Sequence, residues 1–336
     1  MTYFRPIAMT DAARPAGALS LAGGWCWFDR VEILERNAPS RLGGLSDLTA
    51  VQRDRFSAPR AGFAGLSMDC PRIMGILNVT PDSFSDGGRF QDQTAALAQA
   101  RAMAADADIL DIGGESTRPG AVDVDATDEI ARTAPVILAL RAGGSGIRIS
   151  IDTRKAVVAT AALAAGADIV NDVAALGYDP QMAGVVARSG APVILMHAQG
   201  APAAMQTAPR YENVVLDVYD FLKEKLSMAM ASGISRDKIV LDPGIGFGKT
   251  VAHNLALIRG LSLFHGLGCP IFLGASRKRF IGSISGTDDT GARLPGSLAV
   301  ALAGLAQGVQ IARVHDVGET RQAFALWRAV NLGDAA

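Results

Sequence analysis

Cysteine is scarce. The chain has three in 336 residues, Cys26, Cys70 and Cys269, far apart and in no paired spacing. That excludes a zinc knuckle or a disulfide framework and fits a reducing cytoplasm. An excess of one charge is missing too, since 32 Lys and Arg face 33 Asp and Glu for a net charge of −1. Without a basic footprint, nucleic acid is excluded as the main partner. Long apolar runs are absent: the longest, Leu298 to Ala306, is too short to span a bilayer. The N-terminus carries Arg5 but no sustained apolar stretch before Asp11, so no signal peptide is expected. The expectation is a soluble, cytoplasmic protein with no membrane partner.

What is present is apolar residue content of 49%, ample for a large core, and 37 glycines, suited to many tight turns. Buried-type runs begin near residues 73, 108, 148, 168, 192, 239, 270 and 309. Ala-rich segments with helical character, such as 94–107, 155–165 and 214–232, fill most of the gaps. Alternating strands and helices of this count predict an α/β fold, a (β/α)8 TIM barrel over residues 71–332. An open doubly wound sheet is the alternative, and the unbroken count of eight favours the barrel. Residues 1–70 have a different texture. Ala18 to Phe28 reads as two short strands about a Gly-Gly turn, with Val31 to Leu34 extending the second. A Pro/Arg/Ser/Gly-rich stretch follows. The reading is an appended hairpin plus linker, with a regulatory or oligomerisation arm as the functional alternative.

Polar residues gather where each apolar run ends. They are Asn78, then Asp111 and Glu115, Asp152, Asn171 and Asp172, His197, Asp242, Ser276 to Lys278, and Arg313 with His315. In a barrel these all fall on the C-terminal rim, where barrel enzymes place their sites, so the chain reads as an enzyme. Asp152 and Asp242 each alone fit the N-cap of a following helix equally well. With Asn171 at a third strand end, they favour a hydrogen-bonding socket for a flat heterocycle rich in N–H donors. Of Asn171 and Asp172, the first is taken as the ligand and the second as a cap. Asp242 to Thr250 resembles a P-loop, but Gly244 leaves three residues before Gly248-Lys249-Thr250 where the nucleotide motif needs four. A Gly-rich wall beside Asp242 fits better than an ATPase. Alternation puts Arg313 and His315 on one side of the last strand, a natural phosphate site, with a solvated charged turn as the plain alternative. Asn78 and that phosphate suit a shared Mg²⁺, which takes few protein ligands. His197 reads equally as a packed strand-end residue, and His253 and His265 as structural or surface histidines.

Together these motifs resemble dihydropteroate synthases of the pterin-binding barrel family. The resemblance rests on Ile76 to Gly88, Gly113 to Gly120, Asp242 to Lys249, Ser276-Arg277-Lys278 and Arg313 to Asp316, in family order. It covers about residues 71–330 and leaves out 1–70. It implies condensation of a 7,8-dihydropterin carrying a CH₂-diphosphate with 4-aminobenzoate. Position by position it implies that Asp152, Asn171, Asp242 and Lys278 hold the pterin. Phe247 and Ser276 also line the substrates, and Asn78 takes Mg²⁺. Thr117, Arg313 and His315 would hold the diphosphate. The segments about Phe84–Gly88 and Ser116–Gly120 would close over 4-aminobenzoate, with Asp86 and Arg118 ordering each other. Asp86, Arg118, Asp152 and Lys278 are the expected catalytic set, and Phe84 and Pro119 the places where changes reduce sulfonamide binding. Barrels of this family commonly pair as homodimers through helices. Arg279 stands where the family often has Ser near the 4-aminobenzoate carboxylate, so Ser276, Arg279 or a helix N-terminus is left for that group. Two other readings stay open: a corrinoid-linked methyltransferase barrel, which has no need of the Ser116 to Pro119 loop, and a paralogue that binds pterin without turnover.

Overall fold

A computed structural model describes residues 1–79, 88–116, 123–200 and 209–333, with the side chains of 88–92 left aside. The eight expected runs form eight parallel strands: β6 (Arg72–Asn78), β7 (Ile109–Gly113), β8 (Arg148–Asp152), β9 (Ile169–Asp172), β10 (Val193–Met196), β11 (Ile239–Asp242), β12 (Phe272–Leu273) and β13 (Ile311–Val314). Their order is β11-β10-β9-β8-β7-β6-β13-β12. The ring closes through a parallel bridge between Leu241 and Ile271. Helices α2 (Gly88–Met103), α3 (Ala126–Ala142), α4 (Ala156–Ala164), α5 (Met182–Ser189), α6 (Val214–Ala231), α7 (Val251–Arg259), α8 (Arg279–Ser285), α9 (Leu294–Leu305) and α10 (Val317–Leu332) occupy the gaps. The barrel expected from the alternation is therefore the fold.

Strand side chains alternate between two cores. Ile73, Leu77, Leu110, Ile112, Ile149 and Ile151 face outward into the helix layer. Met74, Ile109, Ile169, Ile194, Val240, Phe272 and Ile311 face inward, where Phe63 and Met68 join them and plug the barrel floor. Because alternation has period two, the next inward residues are fixed. Two positions beyond Ile109, Ile169, Val240 and Ile311 stand Asp111, Asn171, Asp242 and Arg313. An apolar floor with a polar layer directly above it follows from the spacing alone.

The N-terminal part holds more than a hairpin and linker. The expected hairpin is present as β2 (Leu19–Ser20) and β3 (Trp27–Phe28). The segment expected to extend it is a separate strand, β4 (Arg30–Glu35), between β1 (Thr2–Pro6) and β5 (Ala38–Gly44) in an antiparallel sheet. A helix, α1 (Ala50–Ser57), follows. Leu21, Cys26, Phe28, Val31, Ile33, Leu48 and Phe56 form a core of their own. This unit is fastened to the barrel's outside. Arg36 pairs with Asp217 at 2.6 Å and Asp220 at 2.7 Å on α6, and the Tyr3 hydroxyl donates to Asp220 at 2.7 Å. No helix among the described residues is long and apolar enough to cross a membrane.

Candidate active site

At the centre of the polar layer lies Arg313. Its Nε donates to Asp111 Oδ2 at 2.6 Å and its Nη2 to Asp152 Oδ2 at 2.7 Å. Asn171 Nδ2 donates to the same Asp111 oxygen at 3.0 Å. Burial works against the charge of Arg313, but Asp111 and Asp152 outweigh it and hold its pKa above the ordinary value. Burial pushes the Asp152 carboxyl up to about 7, against the pull of Arg313. Among the described residues, Asp111 Oδ1 and Asp152 Oδ1 are buried with no hydrogen-bond partner. A buried carboxylate oxygen left without a donor is costly, and two in one layer ask for a ligand that donates.

Asp242 ends β11 beside this group. Its Oδ1 accepts from Gly244 N at 2.7 Å, and burial lifts its pKa to about 6. Neither it nor Asp152 caps a helix: Thr250 caps α7, and the N-cap position of α4 is Lys155. The socket reading of these carboxylates thus agrees with their surroundings better than the capping alternative. Asp172 does not cap a helix, since α5 begins at Met182 with Gln181 at its N-cap; its carboxylate instead holds the turn after β9, accepting from Ala174 N at 2.8 Å and Leu176 N at 2.7 Å.

Lys278 reaches in from the turn after β12. Its Nζ donates to Ile245 O and sits 4.2 Å from the centre of the Phe247 ring. Burial lowers its pKa to about 7, with Asp242 opposing. The turn is bent at Arg277, whose φ of +57° is unusual for a residue with a side chain. Arg277 is held there by Asp316 through its guanidinium and by Ser297 Oγ, which accepts from its N–H at 2.9 Å. That bend separates Ser276 from Lys278. Ser276 Oγ meets His315 Nδ1 at 3.0 Å, so His315 and Arg313, though on one face, have different partners.

Asn78 ends β6 opposite Gly113. A Cβ on Gly113 would lie 3.8 Å from Asp152 Oδ2 and 3.9 Å from Asn78 Oδ1, so the missing side chain keeps these two oxygens' neighbourhood open. Among the described residues no three His, Cys, Asp or Glu groups could hold a metal together. The expected residues Phe84, Asp86, Thr117, Arg118 and Pro119 lie outside the described residues.

Three further groups have roles that the sequence does not single out. Asp111 reads there only as a strand end. Glu115, noted likewise, has a buried carboxylate that accepts from Lys155 Nζ at 2.9 Å and from Val124 N at 3.1 Å. Lys155 also binds Glu129 at 2.8 Å and Val124 O at 2.7 Å, tying together both ends of the connection after β7. Lys249, set aside with the P-loop, is buried in the Gly-rich turn against His197. Counting two residues on from Ile109 would have found Asp111; nothing local marks the other pairings.

Residues 74–315 match the family of pterin binding enzymes. The dihydropteroate synthase of Neisseria meningitidis serogroup C is 46% identical over 277 residues, covering 81% of this chain and 97% of that one. The Xanthomonas albilineans dihydropteroate synthase solved with 4-aminobenzoic acid is 44% identical, with a TM-score of 0.76 over 82% of this chain and 98% of that one. The same organism's enzyme in complex with 7,8-dihydropteroate is 42% identical, with a TM-score of 0.74 over 82% and 99%. With the barrel, the polar layer and these likenesses in agreement, the chain belongs to the pterin binding enzymes, in the dihydropteroate synthase family.

Proposed function

We propose that this chain makes 7,8-dihydropteroate by joining (7,8-dihydropterin-6-yl)methyl diphosphate to 4-aminobenzoate, a transferase step of folate biosynthesis. The observation that carries the reading is the polar layer above the barrel floor, where Asp111 and Asp152 each keep a buried carboxylate oxygen without a donor among the described residues, and Asp242, Asn171, Lys278 and Arg313 stand beside them. A dihydropterin edge presents several N–H donors in one plane, which suits carboxylate oxygens lacking partners. Asp242 and Asn171 take the pyrimidinone edge. Lys278 serves an acceptor of the same ring, and Phe247 gives that side an apolar wall.

In the reaction the bond between the methylene carbon and diphosphate oxygen breaks, and its electron pair leaves with diphosphate. The lone pair of the 4-aminobenzoate nitrogen then forms the new C–N bond, and that nitrogen loses a proton to solvent. Positive charge develops at the methylene and spreads into the pterin ring, where the carboxylate of Asp152 stabilises it. The amine is a weak nucleophile, so alignment and exclusion of water matter more than a strong base. His315, held by Ser276, and Arg313 would steady the diphosphate, joined by Thr117. Asp86 and Arg118 would order the segments over 4-aminobenzoate, lined by Phe84 and Pro119. A lone amide oxygen at Asn78 fits Mg²⁺, which keeps waters and shares substrate oxygens rather than a protein cage. When bound, it would neutralise charge on the departing diphosphate.

We also place the enzyme in the cytoplasm as a homodimer. Met228 and Met230 on α6, Val251 on α7 and Ile284 on α8 are exposed apolar residues on neighbouring helices, which supports pairing there. A monomeric mass in sedimentation would exclude it. The activity itself is tested by supplying pterin diphosphate, 4-aminobenzoate and Mg²⁺ and following dihydropteroate and diphosphate. Product should form, and chelation of the metal should slow it. Diphosphate release without 4-aminobenzoate supports departure before attack, whereas strict dependence on the amine points to concerted displacement. Bound pterin with no product would leave a binding paralogue.

A further inference from the structure

We propose that Lys249 is a positioning residue for the pterin side of the site, a role that rests on the synthase reading. Its ammonium is buried within the Gly244–Gly248 turn and makes four contacts, the longest to His197 O at 3.4 Å. It donates to Gly244 O at 2.8 Å and Phe247 O at 3.0 Å, and meets His197 Nδ1 at 2.8 Å. A protonated lysine has three donors and no acceptor, so these partners satisfy it fully when His197 is neutral and carries its proton on Nε2. Burial and the Lys249 charge lower the His197 pKa to about 3, in keeping with that neutral ring, and burial lowers the Lys249 pKa to about 7, with Asp242 opposing.

The other side of the same turn faces the site. Gly244 N holds Asp242, Ile245 O takes Lys278 Nζ, and the Phe247 ring lies beside that ammonium. Contacts to the pterin-side pair, at Gly244 N, Ile245 O and the Phe247 ring, are thus interleaved along the turn with those to Lys249, at Gly244 O and Phe247 O. The turn has other ties, from Phe247 N to Gly244 O at 3.2 Å, from Gly246 N to Asn254 Oδ1 at 2.7 Å and from the Tyr211 hydroxyl to Gly248 O at 2.8 Å, but Gly244, Gly246 and Gly248 all have left-handed φ values that glycine leaves readily, and none of these ties fixes where the Ile245 carbonyl points. Space within it is tight. A Cβ at Gly244 would sit 1.8 Å from His197 O, and one at Gly246 would sit 2.8 Å from Lys278 Cδ. Lys249 selects one arrangement by drawing the Gly244 and Phe247 carbonyls inward, which leaves the Ile245 carbonyl for Lys278. An apolar side chain of the same length would fill the space without choosing among arrangements.

The test compares Lys249→Met and Lys249→Gln with the parent enzyme. Binding of 6-hydroxymethyl-7,8-dihydropterin is measured by calorimetry without 4-aminobenzoate, and the KM for 4-aminobenzoate is measured separately. The dissociation constant for the pterin should rise tenfold or more in Lys249→Met, while the KM for 4-aminobenzoate stays within about twofold. Lys249→Gln, keeping two donors, should fall between. Addition of ethylamine or propylamine to Lys249→Ala should recover part of the pterin affinity. Unchanged pterin binding in a folded Lys249→Met would overturn the proposal. So would equal losses for both substrates without amine rescue, or a failure of all three variants to fold, since each marks a purely structural lysine. If the parent itself bound no pterin, the synthase reading would fall first.

Discussion

Arg313→Met is expected to lower kcat/KM by about 10²–10³-fold or more and to destabilise the fold by about 3–5 kcal/mol. Both effects come from one guanidinium serving two carboxylates. Asp111 and Asp152 are each almost wholly buried, and each already has one oxygen without a partner among the described residues. Arg313 donates to their other oxygens at 2.6 and 2.7 Å, and of the two only that of Asp111 has a second donor, Asn171 at 3.0 Å. With the cation gone, two carboxylates face each other in a low-dielectric layer, and at least one must take up a proton. The developing charge on the methylene then loses its stabilising anion, and the diphosphate loses a counter-charge. Methionine keeps much of the volume, so a cavity is not the cause. Arg313→Lys should be intermediate, because an ammonium has charge but lacks the planar fork that reaches both partners. Denaturant unfolding and steady-state kinetics check the two halves. A variant with parental stability and turnover would show that the cluster is not organised around this residue.

Much of this layer was legible before any coordinates, and the reason is geometric. Strands in a closed barrel alternate between floor and helix layer, so a polar residue ending an apolar run must face the rim or the interior. Asp152, Asn171, Asp242 and Arg313 all obey that rule. What local sequence does not carry is pairing. The spacing to His315 suggests a phosphate for Arg313, but nothing local reveals its carboxylate partners, which lie 202 and 161 residues earlier. The same limit applies to the N-terminal sheet. β5, Ala-Pro-Ser-Arg-Leu-Gly-Gly, has neither alternation nor bulk and reads as linker. It is a strand because β4 offers it an edge, and β4 in turn pairs with β1 some thirty residues before it. Lys249 illustrates a third case. A lysine after a glycine-rich turn suggests phosphate, yet three carbonyl and imidazole acceptors enclose it, and only the folded turn supplies them.

Asp242→Asn separates binding from stability in a way Arg313→Met does not. It should weaken pterin binding by about 100-fold or more, since charge-assisted hydrogen bonds contribute about 1.5–3 kcal/mol each and two donors of one edge are involved. The amide still accepts from Gly244 N, so the turn is kept, but its NH₂ now faces a donor of the ligand. Stability should move little or upward at neutral pH. The sign follows from burial, which raises the Asp242 pKa from 3.8 to about 6 in the folded chain. A carboxyl with a raised pKa favours the folded state at acid pH, and that contribution is lost as pH rises from about 4 to 6. Above that range the parent bears the cost of a buried charge that the asparagine lacks. Binding has the opposite dependence, because the ionised form receives the pterin. Parental affinity should therefore fall as pH drops through about 6, on top of the titration of Asp152 near 7. In Asp242→Asn the component near 6 disappears and the one near 7 remains. Calorimetric titration from pH 5 to 8, with thermal unfolding at each pH, resolves both. Equal pterin affinity in the two proteins at pH 8 would place the ring's donor edge somewhere other than on Asp242.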